Sequence, residues 1–184
     1  MTTVHLFYPY ENRISCPAAI GYKLGELLKS HYIVVHHWDS DEIIYPGKDD
    51  ILIGHPQFRP WAAFNQSIKQ KGWKKIITMF PFCSANYSMA GFENAVSASD
   101  HVLAITGNYW FQQTEDSSFS HWLPKMAHVD LAVDRKDFPL IKDKFNKTGE
   151  RRFVYIGNTS VYKNTGYLSK IAALLPQGQI SWVG

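Results

Sequence analysis

The sequence predicts an α/β protein: a Rossmann-like, doubly wound parallel sheet followed by the first βαβ unit of a second Rossmann-like domain. Three observations support this prediction. Short apolar segments rich in valine and isoleucine alternate with helical stretches along most of the 184 residues. Hydrophobic residues make up 45% of the chain, which is enough for a packed core. A charged segment that contains a proline, Asp134–Glu150, interrupts the alternation, which then begins again.

The predicted first domain, residues 1–148, contains six strands. Each is a short apolar run, as expected for parallel strands that helices cover on both faces. The predicted strands are Val4–Tyr8, Tyr32–Trp38, Asp50–Gly54, Ile76–Phe80, His101–Ile105 and Met126–Val133.

Four helices are predicted between these strands. The first, Ala18–Ser30, carries four apolar residues on one face, namely Ile20, Leu24, Leu27 and Leu28. Gly72 ends the second helix, because glycine is favoured just beyond a helix C-terminus. The remaining three helices are predicted at Trp61–Lys71, Phe92–Ser99 and Asn108–Gln113.

Residues 149–184 are predicted to form the start of a second domain, with a single βαβ unit. Its strands are expected at Phe153–Ile156 and Ile180–Val183, with a glycine turn after the first strand and a helix that begins near Thr165. One βαβ unit cannot bury its own apolar face. We therefore expect the natural protein to continue beyond Gly184. The alternative is one larger domain whose last strands join the first sheet.

Charge and cysteine content limit the classes of function. A net charge of +3 is too small for a typical nucleic-acid-binding surface, and it suits phosphorylated substrates or an anionic membrane surface. The two cysteines, Cys16 and Cys83, form no disulfide framework, which points to a reducing compartment. The sequence has neither a signal peptide nor an apolar run near the ~20 residues of a transmembrane helix. A cytoplasmic protein, optionally peripheral at the inner face of the membrane, is expected.

The loops at the carboxyl ends of the predicted strands are polar and aromatic. Arg13 follows the first strand, His55 the third and Asn86 the fourth, and such residues suit a sugar or a similar polyol. For each residue taken alone, an ordinary solvated loop is the simpler interpretation. No glycine-rich phosphate loop follows the first strand, which disfavours an NAD-type site.

Three motifs in order resemble nucleotide-sugar glycosyltransferases of the two-domain GT-B architecture, most closely the large retaining group that acts in polysaccharide and glycolipid synthesis. Ser99–Ile105 resembles their "aD.vla.S" strand. Val133–Pro139 is similar to the "VD…F.P" signature that ends their first domain. Phe153–Gly157, followed by Lys163 and Asn164, resembles the "yvGr…KN" opening of their donor domain.

This resemblance implies transfer of a sugar from a nucleotide-sugar donor to a glycan or lipid-linked acceptor. Gly157 and Lys163 would contact the donor diphosphate, whose negative charge grows as the glycosidic bond breaks. Arg13, His55 and Asn86 would line the acceptor cleft. The family commonly has an arginine where this chain has Asn158, and a solvated surface lysine is an equally good interpretation of Lys163. No catalytic residue is assigned.

No metal and no resident cofactor are expected, since helix N-termini and cations take the metal's role in this architecture. The only DxD-like segment, Asp39-Ser40-Asp41, follows the second strand and reads as a polar turn. Trp73 stands among four lysines, an arrangement that indicates either a membrane-facing patch or, more simply, a basic helix end. The competing function is a non-enzymatic α/β module that binds a sugar or a protein.

Overall fold

The chain folds into two compact units, residues Met1–Ala132 and Val133–Gly184, in a computed structural model. The structure describes residues 2–8, 16–37, 41–55, 61–80, 89–105, 108–130, 136, 139, 144, 147, 152–157, 163–174 and 180–183.

The first unit is built on a six-stranded sheet in which every neighbouring pair is parallel. The predicted α/β class and parallel sheet are therefore confirmed. The strands are β1 (Thr3–Phe7), β2 (Ile33–His36), β3 (Ile51–Gly54), β4 (Lys75–Phe80), β5 (His101–Ala104) and β6 (Met126–His128). Four α-helices connect them, α1 (Cys16–Leu28), α2 (Trp61–Ser67), α3 (Glu93–Ala98) and α4 (Tyr109–Glu115).

The strand order is β2-β1-β3-β4-β5-β6, so the direction in which the sheet grows reverses between β1 and β3. In open parallel sheets, ligands bind outside the carboxyl ends of the strands at such a reversal. The register pairs Val4 with Ile51 and Phe7 with Gly54, so the ends of β1 and β3 lie level with each other. Topology alone therefore identifies one edge of the sheet as the place to look for a site.

Alternation along the strands divides the apolar residues between the two faces of the sheet. On one face, Val4, Leu6 and Ile53 form a buried cluster against which Ile20 and Leu24 of α1 pack. Leu27, which we predicted on the same helix face, is exposed. The apolar residues of α1 that face the sheet, Ile20, Leu24 and Leu28, follow a strict four-residue spacing, and Leu27 lies outside that spacing.

The opposite face carries two further buried clusters. Phe7 and Leu52 pack with Phe64 of α2 in the first cluster. Val102 packs with Trp110 in the second, which includes residues of α3 and α4. Fully burying one such side chain contributes about 1.5–3 kcal/mol relative to an exposed position. Helices thus cover both faces of the sheet, as a doubly wound fold requires.

Several predicted boundaries are wrong by a few residues. The α2 helix ends at Ser67 rather than Lys71, and residues 68–70 continue as a turn with i→i−3 bonds such as Gln70 N–H to Ser67 O. The Ser67 hydroxyl donates to Ala63 O and accepts from Ile44 N–H. These side-chain bonds to the backbone compete with helical bonding and favour the end of the helix at Ser67. Two short 3₁₀ segments, Met89–Phe92 and Ser120–Lys125, were not predicted.

The β6 strand is also shorter than predicted. It ends at His128, although Val129 N–H still donates to Ala104 O. Its partner β5 ends at that same Ala104, so no further strand bonds are available to extend it. Residues 131–133 of the predicted strand lie outside the described residues.

The second unit contains β7 (Phe153–Ile156), α5 (Gly166–Leu174) and β8 (Ile180–Val183). The two strands have the bounds that the sequence predicted, and they form a two-stranded parallel sheet of their own that pairs Phe153 with Ile180. Within the described residues, none of the helices has the length and apolar character that a bilayer crossing requires.

Candidate functional site

The candidate site in the first unit lies where β1 and β3 end side by side. Tyr8 follows β1 and His55 follows β3, and both side chains are buried. His55 N–H donates to Phe7 O at 3.2 Å, which continues the sheet bonding by one residue. The Tyr8 and His55 rings meet edge to face, with centroids 5.2 Å apart and planes at 80°. Two polar aromatic groups therefore share the point where the strand order reverses.

Burial holds both of these groups in their neutral forms. It lowers the pKa of His55 to about 3, and it raises the pKa of Tyr8 well above its usual range. A neutral imidazole and a neutral phenol each donate and accept hydrogen bonds, as recognition of hydroxyl groups requires. With so low a pKa, His55 is a poor general base.

Gly54 explains how helix α2 approaches so closely to this edge. A Cβ added at Gly54 would lie 1.9 Å from a ring carbon of Phe64, a side chain that is itself fully buried. Only glycine leaves room for the Phe64 ring above the last residue of β3. The position of His55 therefore depends on the glycine before it and on the α2 core behind it.

Of the three residues predicted to line an acceptor cleft, the structure locates His55. Arg13 and Asn86 lie outside the described residues, as do Asp39 and Ser40 of the DxD-like segment. Tyr8, which the sequence placed only at a strand end, is the residue that the structure adds. The signal for it was an aromatic residue with a hydroxyl directly after a buried strand.

In the second unit, Gly157 follows β7 and has a φ of +155°, a conformation that favours glycine. Its N–H donates to Val183 O at 2.9 Å and so joins β7 to β8. That amide is therefore engaged within the sheet. Lys163 is exposed and lies three residues before the start of α5.

The sequence analysis missed a chain of three polar side chains that runs across β1 and its two neighbouring strands. His5 Nδ1 lies 2.9 Å from His37 Nε2, and His5 Nε2 lies 3.2 Å from Asp50 Oδ2. Gly47 N–H also donates to Asp50 Oδ2, at 2.7 Å. The available signal was a histidine in the middle of an otherwise apolar strand, because a buried polar group needs a partner.

The surroundings set the charges of this chain. Burial, followed by the charges of His5 and His36, lowers the pKa of His37 to about 4. For Asp50, burial alone would raise the pKa, but the hydrogen bonds from the Gly47 amide and His5 outweigh it, so that the pKa is lowered. Asp50 is therefore a carboxylate and His37 is neutral at pH 7.

Adjacent His36 and His37 face opposite sides of the sheet. The His36 ring lies against Gly25 of α1, where an added Cβ would be 2.7 Å from two ring atoms. The His37 ring lies parallel within 25° to Phe7, with centroids 5.0 Å apart. Alternation thus separates the two side chains. Within the described ranges, no three His, Cys, Asp or Glu residues are grouped to hold a metal ion.

The tryptophan among the four lysines is part of the folded core. Trp73 packs against the Phe7–Leu52–Phe64 cluster, and its indole N–H donates to Ser67 O at 2.8 Å. Lys75 pairs with Asp100 at 3.2 Å. Because the indole is engaged inside the protein, this geometry favours the simple interpretation of the segment over a membrane anchor.

Comparisons with known proteins add no further assignment: no protein-family model, curated protein or solved structure gave a significant match to this chain.

Proposed function

We propose that the first unit is the acceptor-side domain of a GT-B glycosyltransferase and that the second unit opens its nucleotide-sugar-binding domain. The intact enzyme transfers a sugar from a nucleotide donor to a glycan or lipid-linked acceptor. The observation that carries this proposal is the pairing of buried, neutral Tyr8 and His55 at the reversal point of a parallel sheet. Sheets of this kind bind ligands at that edge.

The role of the Tyr8–His55 pair is to orient hydroxyl groups of the acceptor. Both side chains remain uncharged at pH 7, so they form directional hydrogen bonds without attracting counter-ions. Because His55 gains a proton only near pH 3, this role is positioning rather than proton abstraction. A ligand that displaces a hydrogen bond at this edge without replacing it loses about 1–3 kcal/mol, so ligands that lack the hydroxyl bind more weakly.

The role of the second unit is to bind the donor diphosphate. Lys163 is exposed and precedes the N-terminus of α5. At a helix N-terminus the free backbone amides favour anions. Gly157 provides the sharp backbone turn after β7 that precedes this segment. An exposed lysine–phosphate contact contributes about 1 kcal/mol, so the remaining donor contacts come from other groups.

The test is sugar transfer by the full-length natural polypeptide with a panel of nucleotide sugars, measured as release of the nucleoside diphosphate. Lys163→Ala should lower kcat/KM about fivefold, which corresponds to the loss of an exposed contact of about 1 kcal/mol. Lys170→Ala is the matched control, because Lys170 is also exposed but stands over the Tyr167 ring within α5. It should leave transfer unchanged.

The competing function is a binding module that performs no transfer. A module of this type would bind a glycan or a protein through the Tyr8–His55 edge and release no nucleotide with any donor. His55→Gln tests that edge directly, since it should weaken acceptor binding and leave donor hydrolysis unchanged. Wild-type turnover in the Lys163→Ala enzyme would contradict the donor-site assignment, and absence of any transfer would favour the binding module.

A further inference from the structure

The hydrogen bonds of the Asp50–His5–His37 chain all run in one direction, because the carboxylate at one end can only accept hydrogen bonds. Asp50 is a carboxylate and offers no donor, so His5 Nε2, at 3.2 Å, must carry the hydrogen of that bond. A neutral imidazole has one donor and one acceptor nitrogen. His5 Nδ1 is then an acceptor, and the hydrogen of the 2.9 Å bond belongs to His37 Nε2.

This assignment leaves His37 Nδ1 with a lone pair. Within the described part of the chain, no group hydrogen-bonds that atom, and the His37 side chain is half-buried. His37 directly follows β2, so it lies at the carboxyl edge of the sheet, beside the end of β1. Each bond in the chain therefore orients the next, and the last ring lies at the edge where the strands β1 and β2 end.

We propose that Asp50, His5 and His37 form a one-proton relay whose outer atom, His37 Nδ1, accepts a hydrogen bond from a ligand hydroxyl while the relay is neutral. Once the relay has bound a proton, the same atom becomes a donor to an anionic oxygen. This proposal concerns a different side-chain cluster from Tyr8 and His55, and it does not depend on sugar transfer.

The proton balance of the relay is simple. A proton that arrives at His37 Nδ1 displaces the proton on Nε2, which moves along the 2.9 Å bond to His5 Nδ1. His5 becomes an imidazolium, with both nitrogens donating, and Asp50 compensates its charge. His37 ends neutral, with its hydrogen on Nδ1 instead of Nε2. One proton enters, no covalent bond to carbon changes, and the tautomer of His37 reverses.

The geometry places the compensating carboxylate next to His5 rather than next to His37. His5 contacts the Asp50 carboxylate directly, whereas the charges of His5 and His36 both oppose a positive charge on His37. Among the described residues, the other rings packed on the relay carry no charge: the Trp73 ring, 5.4 Å from His5 between centroids, and the Phe7 ring, 5.0 Å from His37. Thr3 adds a hydrogen bond to Asp50.

The experiment is nitrogen-15 NMR of the histidine rings between pH 8 and pH 4 on the whole chain. At pH 8, both His5 and His37 should show the Nε2–H tautomer. On acidification, the His5 ring should become an imidazolium, while His37 switches to the Nδ1–H tautomer and remains neutral. Exposed His31, which lies outside the relay, provides a reference ring in the same spectra.

Two carboxylate variants test the source of the direction. Asp50→Asn should shift protonation of the relay to lower pH, because the compensating charge is lost. Asp100→Asn is the matched control, since Asp100 also precedes a strand and accepts a backbone N–H, from Ile76, but pairs with Lys75. It should leave both histidines unchanged.

Three results would overturn the proposal: a Nδ1–H tautomer of His37 at pH 8, an imidazolium at His37 while His5 is still neutral, or equal shifts in the two carboxylate variants. The wild-type spectra decide the first two even if the Asp50 variant does not fold.

Discussion

The two units use the same βα arrangement and bury their apolar residues to very different extents. In the first unit, Leu52 is 0% exposed and lies between the sheet and α2. In the second unit, α5 has no buried residue, Leu174 is 81% exposed and Ile156 of β7 is 78% exposed. Strand and helix patterns are therefore sufficient to form local elements, but only additional strands and helices create a core.

The largest expected difference comes from one substitution made in both units. Leu52→Ala should cost about 2–5 kcal/mol of the free energy of unfolding, because it opens a cavity in a closed core. Leu174→Ala should change it by less than about 0.5 kcal/mol, because that side chain is already in water. Urea titrations followed by amide resonances of the changed unit measure both values. Similar losses at the two sites would show that the second unit has a core of its own.

Acid should destabilise the first unit selectively. Burial holds the folded-state pKa of His55 at about 3, below the unfolded value of ~6.5, so stability is fully present above ~6.5 and is lost as the pH falls toward 3. Between pH 6.5 and pH 5 the expected loss is on the order of 2 kcal/mol, and half-buried His37 adds a smaller share. The second unit contains no histidine.

Native-state hydrogen exchange at pH 7 and pH 5 measures this difference unit by unit. His55→Gln should flatten the pH dependence of the first unit, because it removes the buried group whose pKa is lowered. Equal pH dependence in the two units would contradict the prediction.

The last comparison concerns two glycines, and the sign of the expected change in stability differs between the units. Gly54→Ala should destabilise the first unit by about 1–3 kcal/mol, since the new methyl group collides with the buried Phe64 ring. Gly166→Ala should stabilise the second unit by about 0.4–1 kcal/mol, because nothing lies within 4 Å of the added Cβ and alanine favours the helix. Thermal unfolding of the two variants provides the comparison, and destabilisation by Gly166→Ala would mean that α5 packs against something at that point.

The sequence predicted well the features that depend on neighbouring residues, and it predicted poorly those that depend on contacts between residues far apart in the chain. The strands β7 and β8 were predicted with their observed bounds, because apolar runs between turn residues are local signals. The end of α2 was wrong by four residues, because a bond between Ser67 and distant Ile44 helps to determine it. His55 could be predicted as a site residue from its place after a strand. Its contact with Tyr8 could not, because that contact exists only if β1 and β3 are neighbours.

The sequence by itself determined the class of the fold, the order of its elements and the renewed βα pattern after residue 150, since periodicity and turn chemistry act over a few residues. Tertiary structure alone decided that β1 lies between β2 and β3. That arrangement brings His5, His37 and Asp50, from positions 32 and 45 residues apart, within hydrogen-bonding distance. No local pattern encodes such a contact, because it arises from the register and order of parallel strands whose connections are long.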